Sequence, residues 1–202
     1  MNNDRYILAL SFWTASFQYL RLVENVAQET VSSGNLWVMT RDFTAGGITE
    51  EEYANATKWS DHTIIIPLLF NLLHGIELLV KGFILVDPAE TIEKQHNIGE
   101  LCKRFRVMYP DQDTLNQFFE RYTTDDRAPE LLQHFRIDNG LSMNGLYQAL
   151  RYPSHDFNSM RIYASLKYKG GSGTKFFSEL VNDIRQTRVA AVALSRALEN
   201  KE

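Results

Sequence analysis

Residues 150–175 combine the side-chain types that bind single-stranded nucleic acid. They include five basic residues and one acidic residue, Asp156, which leaves a local formal charge of +4. Basic side chains attract phosphates, and aromatic rings stack on unpaired bases. The candidates for nucleic-acid binding are the basic and aromatic residues Tyr152, Arg161, Tyr163, Lys167, Lys169 and Lys175. The alternative is a mixed surface loop whose aromatic rings pack inward.

A second polar pattern lies within the strongly apolar residues 64–86. His74, Glu77 and Lys81 are spaced by three and four residues, so a helix places them on one face. Such a stripe could hold a metal or transfer protons. No cluster in the chain has zinc or calcium spacing, however, and we expect no metal and no cofactor. We interpret Glu77 and Lys81 as an ion pair that steadies a partly buried helix, and His96 as a helix cap.

Residues 170–175, GGSGTK, suggest a phosphate-binding loop, because backbone amides at a helix start attract anions. The Walker A spacing is absent, and no clear parallel strand precedes the segment. We interpret it as a flexible linker with Thr174 as the N-cap of the last helix.

Composition limits the remaining function classes. The chain has 202 residues, enough for one well-packed core, and its net charge of −4 excludes a chain-wide attraction to phosphate. Cys102 is the only cysteine and is expected in the core. With no secretory signal, this favours a cytoplasmic protein. Residues 64–86 are long enough to cross a bilayer, but their polar side chains favour a buried core helix and no membrane contact.

Hydrophobic periodicity predicts an all-α fold, an up-and-down helical bundle in one domain over residues 1–202. Residues 123–139 should form loops with at most one helical turn, and residues 162–167 a short strand or an extended loop. The helices are predicted at residues 4–31, from Thr49 (a capping box with Glu52) towards Lys58, from after Ser60 to near Asp87, at 96–109, from a cap at Asp111, at 141–150, and from near Thr174 to the end.

Three segments, taken in order, resemble the HEPN family. They are LLHGIELLVKGFIL at residues 72–85, HNIGEL at 96–101 and LRYP at 150–153. The resemblance covers about residues 60–200 and leaves the first helix as an addition. It implies a HEPN-type helical bundle.

Many HEPN proteins are metal-independent ribonucleases whose site is an Arg and a His separated by four to six residues, usually assembled across a homodimer. Here Arg151 and His155 match that pair, with three residues between them. The resemblance implies that His155 transfers the proton and Arg151 steadies the phosphate. Arg127 and His134 have six residues between them, but they lie too early relative to the last helix, and we treat that match as chance.

The function expected from these features is a HEPN-like RNA-associated protein of toxin–antitoxin or phage-defence type. It would be a metal-independent endoribonuclease that acts as a homodimer and has an antitoxin as partner. The shortened Arg–His spacing favours the alternative, a non-catalytic module that binds a nucleotide or a protein. A third hypothesis is that the protein is a dimerisation scaffold.

Overall fold

The computed structural model describes residues 3–36, 49–91, 96–152 and 161–199. Within these ranges the chain forms helices and no strand, which confirms the all-α prediction. The elements in chain order are α1 (Asn3–Ser32), α2 (Glu50–Thr57), α3 (Asp61–Val86), α4 (Ile98–Met108), α5 (Asp113–Thr123), α6 (Glu130–Asp138), α7 (Met143–Arg151), a short 3-10 helix (Tyr163–Leu166) and α8 (Gly170–Glu199).

Helix α3 lies at the centre of the bundle because it is apolar on almost every face. Leu69, Leu72 and Ile76 are fully buried, and α1, α4 and α7 pack around the helix. Among the described helices it alone has the length and apolar composition to cross a membrane, yet 61% of its most apolar window is buried inside the protein. That burial is what the core-helix interpretation predicts.

Two glycines let α1 approach α3 closely. A Cβ atom at Gly75 would lie 3.1 Å from the Leu20 side chain, and one at Gly82 would lie 2.5 Å from the Trp13 ring. The Ser16 hydroxyl donates a buried hydrogen bond of 2.7 Å to the Gly75 carbonyl. The absence of side chains at these glycines therefore sets the distance between α1 and α3.

Local capping signals predicted some helix starts and missed others. The Thr49–Glu52 capping box is present at the start of α2, as predicted. Helix α4 is capped by Asn97, which accepts from the Glu100 amide, and not by His96. Helix α5 begins at Asp113 without a side-chain cap, so the expected cap at Asp111 is wrong.

Two other expectations differ from the structure. Residues 162–167 contain the 3-10 helix in place of a strand or extended loop, because Leu166 is buried and the Ser165 hydroxyl donates to the Ile162 carbonyl. Helix α6 has nine residues where at most one turn was expected.

The start of α8 is held by a junction of buried polar groups. Asn35 accepts from the Asp61 amide at 2.7 Å and donates to the Asp61 carboxylate at 3.0 Å. That carboxylate also accepts from the amides of Tyr168 and Lys169, at 2.7 and 2.8 Å. The GGSG segment therefore forms the first turn of α8, and the flexible-linker interpretation is wrong. The Thr174 hydroxyl donates to the Gly170 carbonyl inside the helix and does not cap it.

We expect Gly82→Ala to lower the free energy of unfolding by about 1 to 3 kcal/mol, because the added methyl group would collide with Trp13. Gly171→Ala is the matched control: its Cβ would meet no atom within 4 Å, so the change should be neutral or stabilise by about 0.5 to 1 kcal/mol. Urea denaturation of both variants measures the difference. Equal stabilities would show that Gly82 does not set the α1–α3 distance.

Candidate functional site

The polar stripe of α3 places a carboxylate inside the protein. The side chain of Glu77 is 2% exposed and that of Lys81 is 9% exposed, and Lys81 Nζ donates to Glu77 Oε1 at 2.6 Å. Removing a charge from water is costly unless an opposite charge or hydrogen bonds compensate. The predicted ion pair between these two residues is therefore present.

Two other elements also supply hydrogen bonds to this carboxylate. His96, just before α4, places Nδ1 2.9 Å from Glu77 Oε1. Tyr147, in α7, donates its hydroxyl to Glu77 Oε2 at 2.8 Å. Glu77 thus joins α3, the start of α4 and α7. We call the group of side chains around it the Glu77 cluster, and its members are His74, Glu77, Lys81, His96, Tyr147 and Arg151.

The protonation states follow from these contacts. Burial raises the pKa of Glu77, but the polar contacts from His74, Lys81, Tyr147 and His96 outweigh it and hold the pKa well below its ordinary value. Because the ionised carboxylate only accepts, His96 Nδ1 carries a hydrogen. Burial, together with the neighbouring Glu77, raises the pKa of Tyr147. Tyr147 is therefore a neutral phenol whose single proton points at Glu77.

With that proton committed, the Tyr147 oxygen accepts hydrogen bonds from other groups. Arg151 Nη2 donates to it at 2.7 Å, and His74 Nδ1 lies 3.1 Å away. The Arg151 guanidinium also lies over the rings of Tyr147 and Phe70, at 4.4 and 5.7 Å from their centroids. Such cation–π contacts and the hydrogen bond together fix the plane of the guanidinium.

Arg151 forms one wall of an open pocket between α3 and the end of α7. The pocket has a volume of about 420 Å³, and we call it the Arg151 pocket. Its lining residues are Ile66, Pro67, Phe70, Leu150, Arg151 and Tyr152. These described residues are apolar or aromatic, apart from the cation of Arg151. This combination suits a ligand that carries an anionic group beside a flat apolar part.

The predicted catalytic pair is described only in part. Arg151 lies in the last turn of α7 and its side chain is 24% exposed, whereas His155 lies outside the described residues. Arg127 and His134, whose spacing we treat as a chance match, do not line the Arg151 pocket. Arg127 is exposed, and His134 pairs with Glu130 and lines a different groove.

The predicted nucleic-acid strip is divided between different places. Tyr152 lines the Arg151 pocket, while Lys169 and Lys175 line a second groove of about 320 Å³ with Arg121 and His134. That groove also contains Glu130 and Glu179, and Lys175 Nζ lies 3.9 Å from Glu179. The two glutamates therefore offset two of the three positive charges that Arg121, Lys169 and Lys175 bring to this groove.

The remaining members of the strip are less open to solvent. Arg161 and Lys167 are half-buried. Tyr163 stacks on Phe135 at 5.5 Å, and its hydroxyl donates to the Ala149 carbonyl at 2.6 Å. Tyr163 therefore packs inward, as the mixed-loop alternative predicted for the aromatic residues of the strip.

Sequence reasoning did not select Phe70 or Tyr147. A signal was present for both: Phe70 precedes His74 by four residues, and Tyr147 precedes Arg151 by four, so each pair shares a helix face. What the spacing did not reveal is that the two faces meet. Phe70 and Tyr147 stack with their centroids 6.0 Å apart.

No group of three or more His, Cys, Asp or Glu side chains that could hold a metal occurs within the described ranges. In the Glu77 cluster, two cations surround the carboxylate where a metal site would need further ligands. Cys102 is buried, as predicted, and burial raises the pKa of its thiol to about 12.

Comparison with protein-family models, curated proteins and solved structures found no match to this chain.

Glu77→Gln should lower the free energy of unfolding by about 3 to 5 kcal/mol at pH 7, because it leaves buried Lys81 without a counter-charge. Glu100→Gln is the control: it removes an exposed ion pair with Lys103, and should cost less than about 1 kcal/mol.

The loss of unfolding free energy in Glu77→Gln should also depend on pH. The folded protein depresses the pKa of Glu77 below its ordinary value of 4.5. The stabilisation by the ionised carboxylate is therefore complete above that value and is lost as pH falls below it. Urea denaturation from pH 7 to pH 3 should show the two proteins converging. A constant difference across this range would mean that the charge of Glu77 is not what stabilises the fold.

Tyr147→Phe should cost about 1.5 to 3 kcal/mol, since the hydroxyl bonds to two charged groups. Tyr163→Phe removes one hydroxyl that donates to a neutral carbonyl, and should cost about 0.5 to 1.5 kcal/mol. Thermal or urea unfolding of both variants provides the comparison. If Tyr147→Phe lowers the free energy of unfolding less than Tyr163→Phe does, the hydrogen bonds of the Tyr147 hydroxyl to Glu77 and Arg151 are not what stabilises this part of the fold.

Proposed function

We propose that the protein is a HEPN-like RNA-associated protein that cleaves RNA without a metal ion. The observation that carries the proposal is the Arg151 guanidinium, which Tyr147 holds at 2.7 Å on the wall of the Arg151 pocket. A guanidinium with a fixed plane matches the geometry of phosphate oxygens. Its orientation is set before any ligand arrives, so little ordering is lost on binding.

The charge balance of the Glu77 cluster favours an anion. Lys81 formally cancels Glu77, which leaves the positive charge of Arg151 in the cluster. Among the described residues, the lining of the Arg151 pocket contains no carboxylate. A phosphate in the pocket would therefore meet a cation in partly apolar surroundings, where charge interactions are stronger than in water.

The proposed reaction is an internal transfer at phosphorus. A 2′-hydroxyl loses its proton and attacks the adjacent phosphorus, while the 5′-oxygen leaves and takes up a proton. The products carry a 2′,3′-cyclic phosphate and a 5′-hydroxyl, with no net gain or loss of atoms. His155, four positions after Arg151, would transfer a proton, and Arg151 would stabilise the charge on the phosphorane.

A specific observation favours a second candidate, binding without cleavage. Arg151 already donates to Tyr147 and lies over two rings, so part of its hydrogen-bonding capacity serves the fold. A non-catalytic HEPN-like module that binds a nucleotide or a protein would need only the pocket and this one cation.

The wider proposal concerns the setting of the activity. The protein would act in the cytoplasm as a homodimer, within a toxin–antitoxin or phage-defence system, with an antitoxin as its protein partner. Regulated RNA cleavage would then inhibit growth when that partner is absent.

The direct test is cleavage of RNA in the presence of EDTA by the wild type and by two variants. We expect Arg151→Ala and His155→Ala each to reduce the rate by about 100-fold or more, because phosphorane stabilisation and proton transfer each contribute at least that much. Arg127→Ala and His134→Ala are the matched controls and should cleave like the wild type. End-group analysis should find cyclic phosphates.

Two other outcomes discriminate between the candidates. Cleavage that survives in both the Arg151 and His155 variants would refute the proposed site. Salt-sensitive RNA binding without cleavage, lost in Arg151→Ala and retained in Arg127→Ala, would replace the enzyme by the binding module.

A further inference from the structure

The lining of the Arg151 pocket has a chemical division that phosphate binding alone does not require. Ile66, Pro67 and Phe70 form a wall from α3, and Leu150 and Tyr152 form another from the end of α7. Of the lining residues that the structure describes, only Arg151 is charged. A site for phosphate alone needs cations and amides, whereas most of this surface can interact with a ligand only through apolar contact and stacking.

Tyr152 is the exposed aromatic residue of this pocket. It directly follows α7, and 57% of its surface is open to solvent. Its ring is therefore available to a ligand, unlike that of Tyr163, which packs against Phe135. Exposed aromatic rings beside a guanidinium are the usual means by which proteins hold unpaired bases.

Three other pockets among the described residues lack this combination. A pocket of about 650 Å³ between α1 and α8 is lined by three arginines, but two of them, Arg185 and Arg188, are paired with Glu24. The groove with Lys169 and Lys175 contains two glutamates. A pocket of about 180 Å³ beside Trp59 has no charged lining residue.

We infer that the Arg151 pocket takes one unpaired nucleobase of an RNA strand, with the base against Tyr152 and the α3 wall and the adjoining phosphate on Arg151. This inference rests on the proposed function and adds to it the part of the RNA that is recognised. A base held in this way cannot be paired, so the substrate class is single-stranded RNA.

The chemistry favours a nucleotide unit over an apolar peptide side chain. A peptide anchor would bury the apolar walls but leave the Arg151 guanidinium without an anionic partner. In RNA the flat apolar group and the anion are joined by one sugar, so both halves of the pocket are used together. The pocket volume of about 420 Å³ is also within the range of small-ligand sites.

The test removes the base and keeps the phosphates. Fluorescent eight-residue 2′-O-methyl oligouridine and oligoadenosine, which resist 2′-hydroxyl attack, are titrated by anisotropy beside the same oligomers with one abasic unit at successive positions. For the wild type, we expect one abasic position to weaken binding by about 5- to 150-fold, as loss of a stacked base does.

Variants at Tyr152 assign the effect to the pocket. In Tyr152→Ala the intact and abasic oligomers should bind alike, and Tyr152→Phe should restore the difference because it keeps the ring. Tyr152 is exposed, so neither change should alter the unfolding midpoint. Tyr168→Ala, at an exposed tyrosine outside the lining of the Arg151 pocket, is the control and should retain the difference.

The outcomes separate this inference from the proposed function. If the abasic oligomers bind as tightly as the intact ones while Arg151→Ala abolishes binding, the base pocket is wrong and the RNA proposal stands. If no oligomer binds the wild type, the RNA proposal itself fails. Binding of adenosine or uridine monophosphate that no oligomer displaces would identify a free nucleotide as the ligand and overturn the assignment to RNA.

Discussion

The candidate site depends on one buried charge. Glu77 is 2% exposed, and an ionised carboxylate in the interior persists only if opposite charges and hydrogen bonds replace its lost hydration. Lys81 supplies the charge from the same helix, His96 supplies a hydrogen bond from just before α4, and Tyr147 supplies one from α7. The need to compensate one carboxylate therefore brings α3, the start of α4 and α7 together at one point.

The position of Arg151 is a consequence of that compensation. Because the proton of Tyr147 is committed to Glu77, the phenol oxygen is an acceptor, and the guanidinium of Arg151 binds it. The site thus has an inner part that stabilises the fold and an outer part, with Tyr152 and Phe70, that is open to a ligand. Glu77 and Tyr147 act as positioning residues, and Arg151 connects the two parts. A ligand that binds Arg151 meets a cation whose orientation the interior has already set.

A second buried carboxylate determines where α8 begins. Asp61 is fully buried and accepts from Asn35 and from the amides of Tyr168 and Lys169. At Gly173, a Cβ would lie 2.5 Å from the Asn35 side chain, so the glycine there is needed for the close approach of α8 to Asn35. The glycines of the GGSG segment, which have poor helix propensity, become helical because the junction fixes the chain just before them. Local propensity is overridden by tertiary hydrogen bonds.

The sequence by itself determined the features that depend on neighbouring residues. Helical periodicity predicted the all-α class and the long first and central helices, and i,i+4 spacing predicted the Glu77–Lys81 pair. Only the tertiary structure decided that His96 binds Glu77 in place of capping α4, that Tyr147 meets Phe70, and that Lys169 and Lys175 lie in a different groove from Arg151. Periodicity reports which face of a helix is buried but not what lies opposite that face. The partners of a buried charge come from residues 19 and 70 positions away, and they are selected by the packing of whole helices.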